Sequence, residues 1–118
     1  MSFSEAVNSV LFQNYANFQG RAARPEFWWF MLAILIASLV AAIIDEYGIG
    51  PPILESLVTL VTIIPSLSVG ARRLHDTDRS GWWQLLSLIP LIGTIVLIVW
   101  WATAGSAAEN RFGRPPVA

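Results

Sequence analysis

The chain of 118 residues is long enough for one domain, and its composition excludes an ordinary soluble or disordered protein. Apolar residues make up 55% of the chain and charged residues 13%, whereas soluble domains carry about 25% charged residues. The net charge of −1 excludes an overall nucleic-acid-binding footprint. The absence of cysteine excludes disulfides, thiolate nucleophiles and cysteine-ligated metals, and we expect no cofactor and no metal site.

The first predicted element is a short amphipathic helix over residues 3–18. Phe3, Val7, Val10 and Leu11 recur at helical spacing, with polar residues mostly between them. Such a helix either lies on a membrane surface or packs on the other helices of the protein.

Long charge-free runs predict two membrane-spanning helices, because crossing the bilayer takes about 20 mainly apolar residues. Residues 27–44 form the first, and their position and acidic flank exclude a cleaved signal peptide. Residues 53–71 form the second, in which the single charged residue, Glu55, lies near one end, where its cost is lower than at the centre. Pro65 should kink this helix, and the neighbouring Thr62, Ser66 and Ser68 can help to satisfy the backbone groups that it frees.

The third charge-free run, residues 80–108, is too long for a simple span, since 29 residues make about 43 Å of helix. Pro90 and Gly93 lie in its middle. The third transmembrane helix is therefore either one tilted helix over residues 82–104 or a broken one, in which an interfacial segment precedes the span. Tryptophan pairs at 82–83 and 100–101 lie about 27 Å apart along a straight helix, which matches two interfacial belts and favours one span.

Arginine positions predict the orientation but conflict at the C-terminus. The positive-inside rule places the N-terminus and the 72–79 loop in the cytoplasm, and the acidic 45–55 loop outside. Three spans then place Arg111 and Arg114 outside, against the rule. A hairpin in the third run would keep every arginine in the cytoplasm. Its arms of about eleven residues are too short to cross the bilayer, so it would be a re-entrant pair whose break is shielded by protein or water. We therefore expect three spans, followed by a loop-like tail over residues 109–118.

Polar chemistry concentrates at 71–83, ARRLHDTDRSGWW, with further basic and aromatic borders at 18–30, FQGRAARPEFWWF, and at 109–113, ENRFG. These strings, together with LIPLIGTI at 88–95, resemble the bacterial membrane proteins grouped as "domain of unknown function 805". The resemblance implies a small multi-pass protein of the bacterial inner membrane and implies no reaction. Members of that family usually have glycine where this chain has Asp78.

The sequence offers little support for catalysis. His75 is the only histidine, no nucleophile elbow accompanies it, and the adjacent Asp76 does not face it on a helix. We therefore expect a non-enzymatic protein whose polar residues bind anionic lipid headgroups or a membrane partner; these are Arg21, Arg24, Glu26, Arg72, Arg73, His75, Asp76 and Arg79. The alternatives for the same residues are topology signals and internal ion pairs.

The overall prediction is an all-α integral membrane bundle, a single domain over residues 1–118. Three short helices bury few faces, so we expect a homo-oligomer or a membrane partner, and no nucleic acid. The interfacial anchors are Trp28, Trp29, Trp82, Trp83, Trp100 and Trp101. Two further functions stay open: a subunit of a small oligomeric channel or transporter with Pro65 and Pro90 lining the path, and an enzyme acting on a phospholipid through His75.

Overall fold

A computed structural model describes residues 1–116, and every regular element in that range is helical. The elements in chain order are α1 (Phe3–Asn8), a π-helical turn (Ser9–Gln13), α2 (Arg24–Tyr47), α3 (Leu54–Asp76), a 3₁₀ helix (Gly81–Leu88) and α4 (Ile92–Ala102). The all-α prediction is confirmed. The last two residues of the predicted 109–118 tail lie outside the described range.

The helices α2 and α3 form an antiparallel pair, and both are long and apolar enough to cross a membrane. Each measures about 35 Å at 1.5 Å per residue. Pro25 lies in the first turn of α2, where its missing N–H costs nothing. At the opposite end of the pair, the Asp45 carboxylate accepts hydrogen bonds from the amides of Leu54 and Glu55, both at 3.0 Å. This contact between the two helices caps the N-terminus of α3.

The N-terminal segment packs on this pair. Ser2 and Glu5 form a capping box that begins α1, and the backbone hydrogen bond from Ser2 lowers the pKa of Glu5. Val10 is buried in a cluster with Phe27 of α2 and Val69 of α3. Of the two predicted placements, packing on the other helices is therefore observed. Regular helix ends at Gln13 rather than at residue 18.

The helix α3 continues through Pro65, because a side chain from the N-terminal segment replaces the hydrogen bond that proline removes. Pro65 has no N–H to donate to the carbonyl of Val61, four residues earlier. The Tyr15 hydroxyl donates to that carbonyl at 2.7 Å. Ser68 hydroxyl donates to the Pro65 carbonyl at 3.0 Å. The tyrosine bond satisfies the one carbonyl that proline leaves without its helical donor, a group that a membrane interior would otherwise leave unpaired.

The third apolar run is a hairpin, so the expectation of one continuous span over residues 82–104 is wrong. The 3₁₀ helix and α4 are each about 16 Å long and run in opposite directions. Leu91 turns the chain with φ +66°, and Gly93 lies so close to Leu86 that a Cβ would overlap its carbonyl. The rings of Trp83 and Trp100 meet at 5.7 Å between centroids. Tryptophan spacing alone could not distinguish one long helix from two short ones folded together.

The distribution of buried and exposed side chains is the reverse of that in a soluble protein. The buried set includes Glu26, Arg72, Arg73 and Asp76, whereas large apolar side chains along α2 and α3 are mostly exposed. In water this arrangement would leave a large apolar surface unprotected. It fits a molecule whose apolar surface faces lipid and whose polar groups pair internally.

Candidate functional site

The antiparallel pair α2 and α3, together with the hairpin, brings the polar segments to one end of the molecule. This arginine end comprises the segment before α2 and its first turns, the end of α3, the turn from it into the 3₁₀ helix, and the segment after α4. It holds all seven arginines of the chain. The acids Asp45, Glu46 and Glu55 lie at the opposite end, around the loop between α2 and α3. Glu26, Asp76, Asp78 and Glu109 also belong to the arginine end, so they partly neutralise its arginines, whereas the opposite end carries acids and no arginine.

At the centre of the arginine end lies a buried ion network of Arg21, Arg73 and Asp76. One carboxylate oxygen of Asp76 is 2.8 Å from Arg21 Nη2, and the other is 2.7 Å from Arg73 Nη1. Both guanidinium side chains are fully buried. Such a pair is costly to bury but very costly to break, because breaking it leaves a charge without a partner.

The same two arginines hold the segment after α4 by its backbone. Arg21 donates to the carbonyls of Ser106 at 2.5 Å, Ala108 at 2.9 Å and Gly113 at 3.2 Å. Arg73 donates to the carbonyls of Trp101, at 2.9 Å, and of Thr103. A guanidinium group has five N–H donors in a fixed plane, so one side chain can hold several carbonyls. The network thus fastens the C-terminal end of the hairpin to α3.

A second buried ion pair joins α2 to α3 beneath the N-terminal segment. Arg72 Nη1 donates to Glu26 Oε2 at 2.8 Å, and the Ser9 hydroxyl donates to the same oxygen at 2.9 Å. Within residues 1–116, Nε and Nη2 of Arg72 have no hydrogen-bond partner. The pair therefore links three segments through one carboxylate oxygen.

His75 is held in a fixed orientation near this network. Its Nδ1 lies 2.8 Å from the Gly20 carbonyl, and its ring stacks on Phe112 with 4.0 Å between centroids and 5° between planes. Asn110 Nδ2 donates to the His75 carbonyl at 3.0 Å. The adjacent Asp76 carboxylate points to the two arginines and not to the imidazole, so the two residues do not form a His–Asp dyad.

The remaining arginines form an outer rim. Arg24, Arg111 and Arg114 are exposed, and Arg79 lies over the ring of Trp100 at 4.5 Å. Arg111 pairs with Asp78 at 3.2 Å on the surface. Asp78 adopts φ +60°, a left-handed conformation that favours glycine and that aspartate tolerates. This explains physically how the chain accommodates its departure from the glycine of the family pattern.

The six tryptophans predicted as anchors also share the arginine end. Trp28 and Trp29 begin α2, Trp82 and Trp83 begin the 3₁₀ helix, and the other pair ends α4. The interpretation of residues 82–83 and 100–101 as belts on opposite membrane faces is therefore wrong. Its reason is the hairpin, which returns the second pair to the level of the first.

Seven of the eight predicted binding residues divide into two groups with different chemistry, and the eighth, His75, is buried without an ion pair. Arg21, Glu26, Arg72, Arg73 and Asp76 are buried and paired within the chain, as the alternative of internal ion pairs anticipated. Arg24 is exposed and Arg79 half-buried, so both face outward.

Sequence reasoning missed the groups that complete these contacts. Nothing in the sequence indicates that the Tyr15 hydroxyl binds the Val61 carbonyl. The backbone carbonyls of the segment after α4 cannot be identified as acceptors from a pattern of side chains. Gly105 lies so close to Asp76 that a Cβ would overlap the carboxylate. Its conformation was not predictable, because only the folded hairpin brings it there.

Comparison with known proteins agrees with the resemblance noted from the motifs. The family model described as "Protein of unknown function (DUF805)" matches residues 15–114. The chain is 46% identical over 112 residues to Inner membrane protein YhaI of Escherichia coli (strain K12), covering 92% of both chains. It is 43% identical over 109 residues to Inner membrane protein YhaH of the same strain, covering 88% of this chain and 90% of the relative. No solved structure gives a significant match.

Proposed function

The chain belongs to that family, and from this premise we propose that it is a non-enzymatic, multi-pass protein of the inner membrane whose arginine end binds anionic phospholipid headgroups. The arginine end and the N-terminus face the cytoplasm. The names of both relatives support the inner-membrane location. The apolar surfaces of α2 and α3 support insertion in a bilayer.

One observation carries the proposal: the hairpin returns the chain so that seven arginines and six tryptophans share one end. Cytoplasmic loops are rich in arginine, and tryptophan favours the membrane interface. With the hairpin, Arg111 and Arg114 stay on the same side of the membrane as the other arginines. The conflict between three spans and the positive-inside rule therefore disappears. The acidic loop at residues 45–55 then faces the other side.

The division between buried and exposed arginines assigns them separate roles. Arg21, Arg72 and Arg73 are occupied by carboxylates and carbonyls, so they stabilise the fold. Arg24, Arg111 and Arg114 are exposed at the arginine end, and the surface pair with Asp78 leaves the Arg111 side chain 67% exposed. A guanidinium fork binds phosphate oxygens in pairs, and basic residues next to a membrane attract anionic lipid.

The test replaces the three exposed arginines by glutamine, as R24Q/R111Q/R114Q, and measures competition between phosphatidylglycerol and phosphatidylcholine. Native mass spectrometry of the purified protein counts the retained lipids. Each arginine near an anionic surface contributes about 1 kcal/mol. The triple variant should therefore lose roughly a hundredfold in its preference for phosphatidylglycerol.

The matched control is R24K/R111K/R114K, which keeps the charge and should keep most of the preference. An unchanged preference in the glutamine variant would refute headgroup binding by these residues. A loss in both variants would show that the planar guanidinium, and not only its charge, is needed.

The hairpin tip supports a second part of the proposal, that the protein works as a homo-oligomer. Arms of about 16 Å end near the middle of a hydrocarbon core of about 30 Å. The turn over residues 89–91 is not helical, and Leu91 is 72% exposed. Irregular backbone at that depth needs protein or water around it, which a second copy would supply.

The natural chain lacks cysteine, so a single Leu91→Cys variant tests this contact by disulfide cross-linking in membranes. We expect efficient dimers for Leu91→Cys and few for the control Leu35→Cys, an exposed position on α2. Equal cross-linking at both positions would refute a specific contact at the tip.

A further inference from the structure

A cavity of about 470 Å³ lies at the arginine end, between the second half of α3 and the 3₁₀ helix. Its walls are mainly apolar, with Phe18, Leu67 and Leu85 among them. A few polar groups join them, from His75, Ser80, Gln84 and Ser87. Apolar walls with a small number of placed polar groups are typical of a small-molecule site.

The cavity wall includes a buried histidine with one ring nitrogen that no other residue among 1–116 binds and that is accessible from the cavity. His75 is only 8% exposed, and its Nδ1 faces the Gly20 carbonyl at 2.8 Å. A carbonyl oxygen only accepts, so Nδ1 carries the hydrogen and Nε2 of the neutral imidazole holds a lone pair. Nε2 lies on the side of Gly81, 3.6 Å from the position of a Cβ there. Nε2 has no hydrogen-bond partner in the described part of the chain.

The fold fixes the direction of this lone pair. Phe112 stacks on one ring face, the Gly20 carbonyl holds one edge, and the His75 residue lies in the last turn of α3. The opposite edge is at the cavity wall, because His75 and Gly81 both line the cavity. A ligand in this cavity therefore meets a fixed acceptor, which favours a ligand with a hydrogen-bond donor at that place.

We propose that this cavity binds a phospholipid whose headgroup carries a hydroxyl donor, with the hydroxyl donating to His75 Nε2. The acyl chains lie along the apolar wall that includes Leu67 and Leu85. This inference rests on the proposed function, since the cavity lies at headgroup level only if the arginine end is at the membrane surface. It adds that the protein selects the chemistry of the headgroup as well as its charge.

The single histidine makes the proposal directly observable. Protein labelled with ¹⁵N-histidine in dodecylphosphocholine, a detergent without hydroxyl donors, is titrated with short-chain phosphatidylglycerol. We expect the Nε2 resonance to move to the position of a hydrogen-bonded acceptor while Nδ1 stays nearly fixed. The control lipid is phosphatidylmethanol, which has the same charge and no hydroxyl, and it should bind roughly tenfold more weakly and leave Nε2 in place.

Two further measurements complete the test. Ser87→Phe fills the cavity from the exposed 3₁₀ helix, and it should abolish the Nε2 response to phosphatidylglycerol while Nδ1, held by the Gly20 carbonyl, keeps its resonance. Glycerophosphoglycerol, the headgroup without tails, should not shift Nε2 at the same concentration. A shift of equal size with it would overturn the assignment to a lipid.

The proposal is also overturned if phosphatidylglycerol and phosphatidylmethanol act alike, if neither moves Nε2, or if Ser87→Phe retains the response. These outcomes are independent of the arginine variants. A preference for anionic lipid that depends on the outer arginines, with no response of His75, would keep the proposed function and refute this site.

Discussion

Replacing Asp76 by asparagine removes the carboxylate that two buried guanidinium groups share. The ion pairs of Asp76 with Arg21 and Arg73 measure 2.8 Å and 2.7 Å, and the carboxylate is almost completely buried. Asparagine keeps one acceptor oxygen of similar shape, so the loss is mainly one of charge. Breaking a buried pair from one side costs about 3–5 kcal/mol. We expect a loss in this range, a large share of the 5–15 kcal/mol that stabilises an ordinary domain.

The chain offers a matched control two residues away. Asp78 pairs with Arg111 at 3.2 Å, but the side chains are 44% and 67% exposed, so Asp78→Asn should cost less than about 1 kcal/mol. Asparagine also tolerates the left-handed backbone of Asp78. The two variants thus make the same chemical change in a buried and in an exposed pair.

The assay is equilibrium unfolding in mixed detergent micelles, followed by the fluorescence of the six tryptophans. All six lie at the arginine end, where the Asp76 network fastens the segment after α4. Equal free energies of unfolding for the two variants, within about 1 kcal/mol of the unmodified protein, would refute the claim that this network holds the hairpin.

Two more stability predictions follow from single contacts. Tyr15→Phe leaves the Val61 carbonyl without its donor and should lower the free energy of unfolding by about 1–3 kcal/mol. In a Pro65→Ala background, the new amide of residue 65 can donate to that carbonyl. A double-mutant cycle should therefore show a smaller cost of Tyr15→Phe in that background. Equal costs in both backgrounds would contradict this role for the tyrosine. Gly105→Ala places a methyl group on the Asp76 carboxylate and should destabilise the protein by about 1–3 kcal/mol in the same unfolding assay, whereas an unchanged stability would contradict the close packing there.

The two long helices were predictable because their signal is local. Charge-free runs give membrane helices directly, and the observed α2 and α3 contain nearly all of the predicted residues 27–44 and 53–71. Their ends were not predictable. The helix α3 continues to Asp76, and the charges near its end are paired: Arg72 with Glu26 of α2, and Asp76 with Arg21 and Arg73.

The hairpin and the ion network depend on contacts between distant residues. Arg21 reaches carbonyls more than 80 residues further along the chain, and no side-chain pattern encodes a carbonyl acceptor. The basic segments predicted for the candidate site do lie together in the structure, but the roles of their arginines were not predicted. Whether an arginine faces outward or inward depends on where Glu26 and Asp76 lie after folding.

The central claim is that the hairpin returns the segment after α4 to the side of the 72–79 loop. Single cysteines at Ile49, Thr77 and Glu109 in the naturally cysteine-free chain test it with a membrane-impermeant thiol reagent in intact cells. We predict that Ile49→Cys reacts at once, while Thr77→Cys and Glu109→Cys react only after the membrane is permeabilised. Reaction of Glu109→Cys together with Ile49→Cys in intact cells would contradict the hairpin and show three separate spans.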